Sequence, residues 1–250
     1  MTVEAENVIL DPTRPYRNAA GGEELRDPLC RESVTYTVRR NNIEVAASHR
    51  FCNAAPVTIA IYYGMQSMFE GETHVLTPGG AYTDWTEAAK ASTFTKQEYP
   101  LFRRYVEKNR QGYQSTWLLP DGLGDHALLD GQDDIFIYAP YGKSYHKLFG
   151  NKRMENGDKT CWRGVYTWFE TPVADDADLL CYEGSAGGHT AVFIDCKRAC
   201  KRTLALPGYL DLRHFGTAEQ NSGIRISAAG RNKLKIKADA PGSCVLLLRE

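Results

Sequence analysis

No stretch of this chain approaches the roughly 18–20 consecutive apolar residues that a membrane-crossing helix needs. No membrane partner is therefore expected. An excess of one charge is also missing, since 30 Lys and Arg stand against 31 Asp and Glu in 250 residues. Proteins that bind nucleic acid usually carry a basic excess or stripe, so no nucleic-acid partner is expected either. The first ten residues, MTVEAENVIL, lack the basic region and apolar run of a signal peptide. The seven cysteines are odd in number and scattered, unlike a secreted disulfide framework. Free thiols and a cytoplasmic location follow as the expectation, the alternative being an exported protein whose leader has been removed. Also absent are internal repeats, a phosphate-binding Gly-x-x-x-x-Gly-Lys loop, a dinucleotide fingerprint, a Gly-x-Ser-x-Gly elbow and a His-Glu-x-x-His pair.

What the chain does have is alternation. Ser33–Arg39 and Ile43–Ala47 are β-branched, alternating runs split by an Arg-Asn-Asn turn, which predicts a hairpin. Pro56–Tyr63 is the next strong run, and more follow at turn-punctuated intervals down to Lys233–Ala238 and Cys244–Arg249. Only Thr86–Lys90 and Tyr99–Lys108 read as helix, the second from apolar residues at Leu101, Phe102, Tyr105 and Val106. Many short strands with Gly and Pro turns predict an all-β protein, a large antiparallel β-sandwich with very little helix. Residues 1–32 read as an irregular N-terminal arm with one short strand near Asn7–Leu10. Residues 33–250 read as a single β-sandwich domain.

The run Arg39–Phe69, RRNNIEVAASHRFCNAAPVTIAIYYGMQSMF, carries a strand, an Asn-containing turn, a Pro-Val strand start and a Gly-x-x-x-Met-Phe close. Over these residues the chain resembles the galactose-mutarotase-like β-supersandwich, shared by sugar epimerases and by domains of glycoside hydrolases and polysaccharide lyases. The resemblance implies a concave sheet surface shaped for sugar. Epimerases of this fold place an imidazole in a His-x-Tyr-Phe type motif. Here the matching stretch, Gly64 to Phe69, holds Gln66 instead. An amide does not titrate near neutral pH and cannot serve as a general acid, so Gln66 is a candidate for binding sugar rather than for epimerase chemistry.

Sugar sites need flat aromatic faces for the rings and planar polar groups for the hydroxyls. The chain has 14 Tyr and 4 Trp. On an extended strand Trp162, Tyr166, Trp168 and Glu170 share one face, and Arg163 lies on the other. The competing reading is that these aromatics fill a core. Tyr138–Tyr145 (YAPYGKSY) is the densest aromatic cluster and adds Tyr141 as a binding candidate. Tyr145 and His146 are candidate acid/base groups, although adjacent strand residues point to opposite faces. Glu183 and His189 flank a glycine turn and could pair across a hairpin. The candidate catalytic residues are thus His146, Tyr145, Glu170, His189 and Glu183. The candidate binding residues are Trp162, Trp168, Tyr166, Arg163, Gln66 and Tyr141.

No cofactor is expected. Asp121–Asp134 holds five aspartates, and oxygen ligands suit calcium, but the spacing fits no calcium loop and Asp-Gly pairs are turn signals. Cys196 and Cys200 lack a second ligand pair at zinc spacing. The expected partner is a carbohydrate. The alternative is a non-catalytic all-β structural domain, or an accessory domain of a larger carbohydrate-active enzyme. The thiol expectation has a direct check: labelling the unfolded chain without reductant should modify most of the seven cysteines, and three disulfides would point to an exported protein.

Overall fold

The computed structural model describes residues 1–68, 72–77, 83–90, 93–95, 103–119, 134–139, 143–220 and 223–248. In chain order the strands are β1 (Thr2–Leu10), β2 (Pro15–Arg17), β3 (Glu23–Leu25), β4 (Pro28–Arg39), β5 (Asn42–Phe51), β6 (Val57–Met68) and β7 (His74–Leu76). Then come β8 (Thr86–Glu87), β9 (Thr93–Thr95), β10 (Arg103–Asn109), β11 (Gly112–Leu118), β12 (Asp134–Ala139), β13 (Lys143–Met154) and β14 (Lys159–Phe169). The last are β15 (Ala174–Asp175), β16 (Leu179–Ala186), β17 (His189–Cys196), β18 (Cys200–Ala205), β19 (Phe215–Gln220), β20 (Ile224–Gly230), β21 (Lys233–Ala238) and β22 (Gly242–Leu248). Among the described residues the only helix is the 3-10 turn Ala88–Lys90. None is long and apolar enough to cross a membrane.

The fold is an all-β antiparallel sandwich, with more layers than the two a simple sandwich has. A central eight-stranded sheet runs β1-β4-β5-β14-β11-β10-β7-β8. On one face it meets an outer sheet, β6-β13-β12-β9. Cys30, Phe51, Tyr105 and Leu118 of the central sheet pack there against Met65, Leu148 and Met154. On the other face it meets a five-stranded sheet, β15-β16-β17-β22-β19. There Val106, Trp117 and Val165 pack against Tyr182, Phe193 and Val245. The far face of that sheet carries Val192, Ile194 and Leu246, which close on Leu204, Leu234 and Ile236 of a three-stranded cap, β18-β21-β20.

Two expectations are corrected by this layering. The helix expected over Tyr99–Lys108 is absent from its described part, where residues 103–108 belong to strand β10; Leu101 and Phe102 lie outside the described residues. Tyr105 and Val106 are adjacent and both buried because they enter different cores on opposite faces of one strand. A strand covered on both sides loses its polar–apolar alternation. The first 32 residues are also not irregular. β1 pairs with β4 from Thr2↔Thr37 to Leu10↔Pro28, and β2 and β3 form a small hairpin. β1 is an exposed edge, and its Glu4 and Glu6 are the charged type that discourages further pairing there.

Close approach of the layers depends on glycine at two places. A Cβ on Gly164 of β14 would overlap the buried Met65 side chain of the outer sheet. One on Gly184 of β16 would lie 2.9 Å from the Phe193 ring and 3.0 Å from Asn42 Oδ1.

Between the central and five-stranded sheets lies a buried ion pair. Arg104 of β10 donates to Asp195 of β17, which also accepts from Ser243 Oγ at 2.7 Å. The guanidinium stands over the Phe193 ring, 5.0 Å from its centroid. A buried pair contributes little net stability, yet removal of one partner strands the other charge. Arg104→Met should therefore cost about 3–5 kcal/mol in chemical denaturation, and the double variant Arg104→Met/Asp195→Leu should recover most of it. A double variant no more stable than the single one would show that the pair itself is required.

Candidate functional site

A cleft of about 890 Å³ opens where β14 runs past the end of β6. Its lining includes Trp168 and Glu170, the β10–β11 turn with Asn109 and Gln111, Gln114 of β11, Asn41 of the β4–β5 turn and Met68. Period-two alternation puts Trp162, Tyr166 and Trp168 on the outer-sheet face of β14, as the sequence predicts. Their environments differ. Trp162 packs against Val34, Val45 and Ala47 and against the core under the outer sheet. Tyr166 braces the layers, its hydroxyl donating to Gln66 O and accepting from Gln66 N, each at 2.9 Å. Only Trp168 is open, at 40% exposure. Its indole lies nearly parallel to the Tyr166 ring, 20° apart at a centroid distance of 5.8 Å.

The Asn-containing turn holds the backbone of Trp168 in place. Asn41 O accepts from Trp168 N at 2.9 Å, and Asn41 Nδ2 donates to Trp168 O at 2.7 Å. Asn42 Nδ2 in turn donates to Asn41 Oδ1 at 2.7 Å, while Asn42 Oδ1 accepts from Thr167 Oγ1 at 2.6 Å. Beside Trp168, in cross-strand register, stand Gln114 and then Glu107. Glu107 is 1% exposed and accepts from Ser67 Oγ at 2.6 Å and Ser144 Oγ at 2.7 Å. Burial pushes its carboxyl up to about 7, with the two serine hydroxyls pulling the other way.

The other expected residues are dispersed. His146 is 2% exposed and packs beside Tyr105, ring centroids 5.0 Å apart, within the core and not along the cleft. Tyr145 is paired in register with Gln66; its side chain, like Tyr141, lies outside the described residues. Gln66 meets Tyr166 through its backbone. Arg163 faces the opposite way and pairs with Glu44 at 2.8 Å. Glu183 accepts from Tyr209 Oη and lies 3.8 Å from Arg40. It is opposite Val192, whereas His189 is opposite Ala186, so the two are not a cross-strand pair. They line a separate cavity of about 110 Å³. The acidic stretch considered for calcium lies outside the described residues except for Asp134. Among the described residues no group of three or more His, Cys, Asp or Glu could hold a metal. All seven cysteines are free.

Sequence reasoning missed Gln114, Gln111, Asn109 and Glu107. The turn signal at Asn109–Gly112 was available, but Glu107 was hidden inside the supposed helix. No protein-family model matches the chain, and no curated protein matches it.

Glu107 makes stability depend on pH. Its folded value, about 7, lies above its ordinary value of 4.5, so the folded state holds its proton more tightly. The stabilisation is complete below about pH 4.5, falls as pH rises to about 7, and is constant above. Denaturation midpoints should therefore decline across that window, and Glu107→Gln should remove that component. An identical decline in the variant would assign it to other groups.

Proposed function

We propose that this cleft binds carbohydrate. The observation that carries the reading is the open indole of Trp168, its backbone clamped by Asn41 and its ring backed by Tyr166, in a cleft rimmed with amides and a carboxylate. A pyranose ring lays its apolar face on Trp168. Its hydroxyls meet Gln111, Gln114 and Glu170, the groups able to donate to or accept from paired hydroxyls. The reading keeps the sugar-shaped surface implied by the mutarotase-like resemblance and sets aside its chemistry. Among the described residues lining the cleft there is no imidazole, the Tyr113 hydroxyl is engaged in donating to Asp175 at 3.0 Å, and Glu170 is a single carboxylate with no second acid/base group beside it. Binding rather than acid/base catalysis is therefore the role we assign.

A glycan array of neutral and acidic oligosaccharides identifies the ligand, and two variants locate it. Trp168→Ala should lower affinity by about 1–3 kcal/mol, roughly five- to 150-fold, and leave the melting temperature nearly unchanged. Trp162→Ala should instead cost about 3–5 kcal/mol of stability. An array without hits favours a structural all-β domain, and unchanged binding in Trp168→Ala moves the sugar site out of this cleft.

A further inference from the structure

A second groove, of about 820 Å³, lies across the ends of β4, β5 and β14. Its floor is a row of cations. Arg31 is directly opposite Arg50, and Arg50 is directly opposite Lys159. Their chain neighbours Cys30, Phe51 and Thr160 are buried, with Cys30 and Phe51 in the core beneath the outer sheet. The three cations therefore stand on the opposite face of the central sheet. The next row on that face is Ser33, Ser48 and Cys161. Like charges directly opposite one another across strands are destabilising. None of the three cations makes an ion pair or side-chain hydrogen bond among the described residues. Arg163, on the same face, is paired with Glu44. Two carboxylates lie close by. Asp158 lines the groove and accepts from Glu155 N at 2.8 Å, and Glu6 stands opposite Ser33 on the edge strand.

We propose that this groove is an oxyanion-binding site that takes a sulfate or phosphate group between Arg31, Arg50 and Lys159. Guanidinium forks match tetrahedral oxyanions in geometry, and a lysine adds a point charge. Ser33 and Ser48 supply neutral donors at the side of the group. The bound group neutralises the repulsion that the row otherwise carries. The groove's lining includes no Trp, Tyr or Phe, so it lacks the stacking platform that single-stranded nucleic acid uses. The site lies on the face of the central sheet away from Trp168, and its case is independent of sugar binding in the cleft.

The test is titration with inorganic sulfate and, separately, inorganic phosphate at low ionic strength, with chloride as control, read by amide chemical shifts and melting temperature. Shifts should concentrate at Arg31, Ser33, Ser48, Arg50 and Lys159. Arg50→Gln should weaken the dissociation constant at least fivefold while the free variant melts no lower than the wild type. Lys201→Gln, an exposed cation of the cap sheet, should bind as the wild type does. A smaller change in Arg50→Gln, an equal loss in Lys201→Gln or a lower melting temperature of free Arg50→Gln overturns the proposal. A single-stranded oligonucleotide that binds through Arg50, with no response to sulfate or phosphate, overturns it in favour of a nucleic-acid surface. The response to sulfate set against phosphate tells which ester the groove prefers.

Discussion

Burial of the central sheet on both faces is the constraint from which the rest of this structure follows. Where β10, β11 and β14 lie between two other sheets, neither face of these strands is left to water. Tyr105 and Val106 show the consequence at one position, with successive side chains in different cores. The same strand carries two buried charged residues, and they too divide between the faces. Arg104 meets Asp195 toward the five-stranded sheet, and Glu107 meets Ser67 and Ser144 toward the outer sheet. Each has a specific partner on the facing layer, so a sliding of the layers would leave a buried polar group unsatisfied at a cost of several kcal/mol. Apolar contacts alone would tolerate such a shift far better.

The candidate cleft is a by-product of how the outer sheet docks. Met65 seats against Gly164, which fixes β6 over β14. Beyond that point the backbone of Gln66 binds the Tyr166 hydroxyl, and β6 ends at Met68. Trp168, two residues past Tyr166, is thus the first aromatic of the row that the outer sheet does not cover. The three aromatics grade from packed, through bracing, to open. One strand face therefore serves as both core and surface, because the covering layer is shorter than the sheet it covers.

This grading explains what was legible in the sequence. The shared face of Trp162, Tyr166 and Trp168 follows from the strand period alone. The point at which the covering layer stops is a tertiary fact, and no local pattern around Trp168 distinguishes it from Trp162. β4 and β5 could be read because one face alternates and a turn rich in Asn separates them. β10 could not, since burial on both faces makes its adjacent Tyr105 and Val106 both apolar and removes the alternation that marks a strand. The loss removed Glu107 from consideration, because a carboxylate on a supposed surface helix is unremarked while one on a doubly covered strand demands partners. His146 illustrates the reverse error. Its residue type suggests chemistry, but its position opposite Tyr105 makes it part of a core.

With 30 basic and 31 acidic side chains, the chain has no shortage of carboxylates to pair with its cations. Several cations elsewhere are paired: Arg202 reaches both Asp176 and Asp178, Lys197 reaches Asp175, and Arg163 reaches Glu44. An antiparallel sheet also makes pairing easy, because any position opposite a cation can hold an acid within reach. At Arg31, Arg50 and Lys159 those opposite positions hold further cations, and the edge strand offers Val8. The fold gains nothing from that choice, since like charges in register cost stability. What the row does supply is a set of donors aligned on a rigid sheet, spaced by the strand repeat, with no competing internal acceptor in the row. That is the arrangement an external anion requires and an internal ion pair would destroy.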